Sequence, residues 1–383
     1  MKGFKNSNIY IEGIGIKNTS LTINNGLISS IGENTDEDDY IELPPNQILV
    51  PGFIDEHTHG ANGADSMNGN RESLETIAKS IPEEGTTSFL FTTMTMRKDI
   101  IIHALNTIAD YLKNPLDDAS FALGVHLEGP FISSSYCGAQ NKEDILPLNL
   151  EDLKEFIQAS NDNIREMTFS YKTGHDDFIE YAKDHHIALS LGHTDDTAKE
   201  AKECFDKGIR LTTHTFNAMK PFHHREAGTV GALLLDDRVS SELILDLHHV
   251  CPDSARLLFK IKGKNKITLI TDSMEAKYLP DGQYQLGGNP VIVKEGTARL
   301  FDGTLAGSIL KMNVAIRNAV KVFNIPLTDA IDMATINPAT NLGFDKCIGS
   351  IKVGKKADFA VIDSNVDVYQ TISSGRTIYK KEN

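Results

Sequence analysis

His57 and His59 stand one residue apart at the end of the apolar run "QILVPGFIDEHTHG". A strand alternates its side chains between two faces, so residues two apart point the same way. Both imidazoles therefore aim at one spot, which is what a metal ion needs, although the spacing also fits two loop histidines bonded to backbone. Other groups able to bind a metal or move a proton close other apolar runs. They are Glu128 in "FALGVHLEGP", His193 in "IALSLGHT", His214 in "IRLTTHTFNAM", His249 in "SELILDLHHV" and Asp272 in "ITLITDSM". Imidazole and carboxylate ligands without cysteine suit Zn(II), Fe(II), Mn(II) or Co(II), and the set does not choose among them. Such an ion lowers the pKa of bound water from about 16 to about 7 and so supplies hydroxide at neutral pH. Asp272 is suited to take the proton from that water and hand it to a leaving group; its structural alternative is a helix-capping aspartate in "TDS". The expected chemistry is metal-assisted hydrolysis of an electrophilic carbon, either an amide carbonyl or an amidine-like ring carbon.

These residues span more than two hundred positions, so the fold must gather them. Between residues 48 and 273 eight β-rich runs recur, "TTSFLFTTMT" and "REMTFSYKTG" completing the set. The segments between them, such as "RESLETIAKSIPEEG" and "DDTAKEAKECFDKG", are rich in Ala, Glu and Lys and end in Gly, as helices do. Eight strand-then-helix units predict a parallel (β/α)8 TIM-like barrel, which brings the C-terminal ends of its strands to one mouth. The expected barrel covers residues 51–345, with a hairpin insertion near 281–304. Residues 1–50 and 346–383 alternate apolar and polar positions, which predicts a small β-sandwich or sheet built from both ends of the chain.

Composition sets the remaining bounds. A chain of 383 residues exceeds the usual single core, which fits a barrel plus a smaller unit. "MKGFKNSNIYIEGIG" lacks the basic start and apolar stretch of a signal peptide, and no run of about 18 apolar residues is present to span a membrane. Cys137, Cys204, Cys251 and Cys347 are scattered without a CxxC, as expected in a reducing cytoplasm. A net charge of −15 argues against nucleic acid as a partner.

"PGFIDEHTHG", "HLEGPFIS", "LGHT", "THTFNAM", "HHREAG", "TDSM", "LAGS" and "VGKKADFAVID" together resemble the amidohydrolase superfamily, and within it the N-acetylglucosamine-6-phosphate deacetylases, from about residue 1 to 380. The resemblance implies removal of acetate from N-acetyl-D-glucosamine 6-phosphate. It implies that Glu128, His193 and His214 hold a metal, Zn or Fe by preference, and that Asp272 is the catalytic acid and base. Some members of that family lack the first-strand histidine pair and hold one ion. Here His57 and His59 imply a second, with Glu128 bridging. The same resemblance assigns substrate contacts to Ala139, Gln140, Asn217, Ala218, His249, Leu305, Ala306 and Gly307, and the phosphate to Arg225. A homodimer is implied too, with the phosphate-binding arginine and histidine reaching into the neighbour's site. His223 and His224 read as loop or interface residues beside Arg225.

Three positions depart from the family pattern. The fourth run ends "SYKTGHDD", and its Lys172 raises the alternative of a carboxylated lysine bridging two metals. Leu247 stands where glycine is usual, so His248 competes with His249 for the cavity. Ala227 replaces a common proline after the Arg-Glu pair. Other expected activities are deacetylation of the galactosamine 6-phosphate epimer or of another N-acyl amino sugar. The non-enzymatic alternative is a barrel that binds amino-sugar phosphates without turning them over.

Overall fold

The computed structural model describes residues 2–32 and 39–382; Met1, residues 33–38 and Asn383, all within the expected small unit, lie outside it. Eight parallel strands form the central sheet: Phe53–Thr58, Thr86–Thr92, Phe121–Glu128, Ile164–Phe169, Ala188–Leu191, Leu211–Thr212, Ser240–Ile244 and Ile267–Ile270. Each pairs with the next in chain order, as a barrel requires. The seam closes where Thr58 bridges Ser273, with the Asp272 N–H donating to the His57 carbonyl at 2.8 Å. The first and last strands therefore meet at the residues expected to do chemistry.

The connecting helices start where their sequences say they should. Thr197 caps the helix Ala198–Asp206, its hydroxyl accepting from the Glu200 N–H while Glu200 reaches back to the Thr197 N–H. That reciprocal pair satisfies two of the amides that a helix start leaves open. Leu74 and Ile77 of the helix Arg71–Ser80, with Ala201 and Phe205 here, face the barrel and join its fully buried core.

Both ends of the chain build one separate eight-stranded sheet, and strands Ile48–Pro51 and Phe359–Ile362 sit side by side within it. The sheet curls until Leu27 bridges Lys356, enclosing a core of Phe4, Ile9, Leu21, Leu49 and Phe359. Tyr10 docks this unit on the barrel, its hydroxyl donating to Asp332 at 2.6 Å. A three-stranded antiparallel sheet, Gly282–Leu286, Asn289–Lys294 and Thr297–Arg299, stands over the barrel mouth, with Asn289 donating to the Ala139 carbonyl at 3.1 Å. Among the described residues no helix is long and apolar enough to cross a membrane.

Lys277, just after the last strand, is wholly buried and donates to Glu84 at 2.6 Å; Glu84 also accepts from the Met312 N–H. Removing one partner strands the other charge away from water. Lys277→Met is therefore expected to cost about 3–5 kcal/mol in denaturant unfolding, and the double change with Glu84→Leu should recover most of it. A single variant as stable as the parent would show that the pair contributes nothing.

Candidate metal centre and active site

Six groups from five strand ends converge. Glu128 is their centre, with Oε1 at 3.1 Å from both His193 Nε2 and His214 Nε2 and 3.5 Å from His57 Nε2. Its Oε2 lies 3.4 Å from His59 Nε2 and accepts from Gln140 Nε2 at 2.5 Å. Asp272 Oδ1 stands 3.1 Å from His59 Nε2 and 3.5 Å from His57 Nε2. All six are buried, at 8 % exposure or less. The backbone bends sharply to bring them in: His193, His214 and Asp272 have φ of 45°, 28° and 48°. Left-handed backbone at non-glycine residues is strained and concentrates at functional sites.

The charges explain one another. Burial works against ionised Glu128, but the His57 and His193 imidazoles outweigh it and hold its carboxyl well below the usual range. Burial also opposes ionised Asp272, yet His57 and His59 bring it down to about 2. Burial alone would keep His57 neutral; Glu242, Asp272 and Glu128 reverse that and raise it to about 10. The site thus demands positive charge at its centre.

The donor set fits a metal ion. Two groups of three ligand atoms, His57–His59–Glu128 and Glu128–His193–His214, each lie within 4.8 Å of one another and share Glu128. His193 Nε2 and His214 Nε2 approach to 3.0 Å, a contact that two lone pairs resist unless a cation or proton lies between them. His193 keeps its proton on Nδ1, which donates to the Tyr136 carbonyl at 3.0 Å and leaves Nε2 free to ligate. His57 Nε2 has no hydrogen-bond partner among the described residues. Imidazole and carboxylate donors of this kind suit Zn(II) or Fe(II).

Above the ligands lies a cavity of about 240 Å³. His59, Glu128, His193, His214 and Asp272 reach it, as do Ala139, Gln140, Asn217, Ala218, His249, Leu305 and Gly307. Met94, Leu286 and Thr304 also line it and carry no signal in the sequence that marks them. Gln140 is held at both ends of its amide, by Glu128 and by the Thr95 N–H at 2.6 Å, so it braces the carboxylate as well as lining the wall. Ala306 does not line the cavity; it is fully buried, its N–H donating to the Ala298 carbonyl. Arg225 is exposed on the loop after Asn217 and does not line the cavity of its own chain. Beside it His224 Nε2 accepts from Arg225 Nη1 at 2.9 Å, and the His223 and His224 rings lie 4.3 Å apart.

Two of the sequence's ambiguous positions resolve. Lys172 is half exposed, and its ammonium pairs with Asp195 at 3.0 Å, away from Glu128. Leu247 keeps the left-handed backbone that glycine would adopt, at φ 70°, because Asp246 accepts from the N–H of both His248 and His249 at 2.8 Å. Asp246 also holds His249 Nδ1 at 2.6 Å, and His249 faces the cavity while His248 turns toward Gly296.

A polar layer beneath the ligands was not marked by strand-end reading. His126 donates from Nδ1 to the Glu56 carbonyl and bonds Thr168 at 2.7 Å. Glu56, Glu166 and Glu242 bring carboxylate oxygens within 4.8 Å of one another. Burial, then the charge of Glu242, pushes Glu56 and Glu166 well above the usual range. The available signal was a charged residue inside a short apolar run, as in "SELILD".

A family model described as the Amidohydrolase family matches residues 48–378. An N-acetylglucosamine-6-phosphate deacetylase of Bacillus subtilis (strain 168) is 40% identical over 379 residues, covering 97% of this chain and 95% of that protein. An N-acetylgalactosamine-6-phosphate deacetylase of Escherichia coli O157:H7 is 37% identical over 331 residues, 86% of this chain and 87% of that one. The crystal structure of an N-acetylglucosamine-6-phosphate deacetylase from Thermotoga maritima superposes with a TM-score of 0.89 at 33% identity, covering 99% of this chain and 100% of that chain.

His193→Ala and His214→Ala are each expected to weaken divalent-metal affinity by more than about 100-fold, measured by competition with a chelator. Parental affinity in both variants would remove the two imidazoles from the centre.

Proposed function

Because the chain belongs to the amidohydrolase family, we propose that it hydrolyses the acetamide of N-acetyl-D-glucosamine 6-phosphate to acetate and D-glucosamine 6-phosphate. The observation that carries this reading is the convergence of Glu128, His193, His214 and Asp272 on the floor of one small cavity. The substrate class comes from the three relatives, each named for an amino-sugar phosphate. Glu128, His193 and His214 would hold one ion, and His57 and His59 with Glu128 a second; Zn and Fe both fit the donors. When bound, a divalent ion supplies a Lewis acid that makes water a better nucleophile and polarises a carbonyl.

The residues divide the remaining work. Asp272, ionised at neutral pH, accepts the proton of the attacking water at Oδ1 and passes it to the departing amine nitrogen. His249, fixed through Nδ1 by Asp246, turns its other ring edge to the cavity, where it would contact the substrate. The left-handed backbone at Phe216 and Ala218 presents the Asn217–Ala218 segment to the sugar. Ala139, Leu305 and Gly307 are small or backbone-facing walls that exclude water around it.

A phosphate needs a cation, and Arg225 is the guanidinium beside the site. Its placement outside its own cavity supports a homodimer in which Arg225 reaches the partner's substrate. All four cysteines are free, which agrees with a cytoplasmic setting.

The test is acetate release from N-acetylglucosamine 6-phosphate, run beside its galactosamine epimer and the unphosphorylated sugar. Release from the phosphorylated glucosamine substrate alone is expected; preference for the epimer would move the reading to the activity of the 37% relative. In the same assay Asp272→Asn should lose about 10²–10⁴ in kcat with its metal retained. Arg225→Gln should raise KM for the phosphorylated sugar and leave kcat close to the parent. Near-parental turnover in Asp272→Asn would remove that residue from the mechanism.

A further inference from the structure

Glu242 sits within the seventh barrel strand, Ser240–Ile244, with its side chain 1% exposed. One carboxylate oxygen, Oε2, serves two donors: His57 Nδ1 at 3.1 Å and the main-chain N–H of His214 at 3.0 Å. An acceptor on Nδ1 keeps the ring proton there and leaves the lone pair on Nε2. In His57 that Nε2 is the atom facing Glu128 and Asp272, each at 3.5 Å. The four imidazoles are not equal in this respect. His193 has the Tyr136 carbonyl behind it, whereas Nδ1 of His59 and of His214 has no partner among the described residues. Within the first-strand pair, then, only His57 has its tautomer fixed by the protein, and only Glu242 fixes it.

A buried carboxylate in an apolar strand costs stability unless it is paired and bonded. No lysine or arginine pairs with it among the ion pairs described; His57 is its only ion-pair partner there, and Glu56 and Glu166 bring further carboxylate oxygens within 4.8 Å. The arrangement is therefore poor as a packing device and well formed as a support for a ligating imidazole.

We propose that Glu242 is a positioning residue for His57, holding Nε2 toward the His57–His59–Glu128 group and so setting affinity for the second ion. This rests on the two-ion reading above. The effect should fall mainly on the second ion, because Glu242 meets the other group only at the His214 main-chain N–H, while His193 keeps its tautomer support at Tyr136.

The experiment counts bound metal and measures both affinities by chelator competition in the parent, Glu242→Gln and Glu242→Leu, with thermal unfolding on the same samples. Gln keeps an acceptor oxygen but loses the charge, so its second-ion affinity should fall by about 10-fold, and that of Leu, which keeps neither, by about 100-fold. The tighter ion should stay within about threefold of the parent. In a His57→Asn background, Glu242→Gln should have no further effect on metal affinity, since its action passes through that ring. Two ions at parental affinity in Glu242→Leu would overturn the proposal alone, and so would equal loss of both ions, which would make Glu242 a support for the barrel. A single ion in the parent would overturn the two-ion reading and the proposal with it. Should Glu242→Leu fail to fold, the Gln variant and its double-mutant comparison decide the question.

Discussion

One buried carboxylate governs the arrangement of this molecule. Glu128 stands within 3.5 Å of four imidazole nitrogens that belong to the first, fifth and sixth strands. No single helix or hairpin brings residues 57, 128, 193 and 214 together; a closed parallel sheet does so by construction. The carboxylate is stable in a water-poor place only because those rings surround it, and the rings are held close only because the carboxylate, or a cation beside it, offsets their crowding. Closure of the barrel is part of the same constraint. The strands that meet last carry His57, His59 and Asp272, so an open seam would separate Asp272 from the imidazoles around Glu128.

The parts of this site that could be read from the sequence are those whose residue type and position both stood out. His57, His59, Glu128, His193, His214 and Asp272 each end an apolar run, and the eightfold repetition of that pattern placed them on one face before any coordinate was known. Their supports were hidden for the opposite reason. Glu242 and His126 lie inside runs that read as core, and nothing local tells a bonded buried polar group from a misplaced one. Gln140 is visible as a loop residue, but its grip on Glu128 depends on a fold-back across twelve positions. Leu247 shows the limit of residue type alone: a branched side chain occupies left-handed backbone because two amide bonds to Asp246 hold the turn.

A small sheet attached to the barrel completes the mouth that the strand ends form. The three-stranded sheet at 282–299 contributes Leu286 to the wall and, through Asn289, fastens the loop carrying Ala139. Met94 and Leu286 share an apolar cluster with Met274 and Ala306, so the wall beside Asp272 is continuous with packed core. Such a wall excludes water from the space beside Asp272, while Asn217 and His249 add polar groups to the lining.

The neighbouring strands Ile48–Pro51 and Phe359–Ile362 tie early and late chain together, and this has a consequence during synthesis. A chain leaves the ribosome from its N-terminus, so Ile48–Pro51 emerges some three hundred residues before the strand that covers its free side. Throughout that interval its backbone donors and acceptors on that side are open, as at any sheet edge. The same strand runs through Gly52 directly into the first barrel strand, so the nascent barrel grows from an anchor that is only half paired. A chain that ends between Pro51 and Phe359 therefore carries an uncovered strand edge beside apolar core residues.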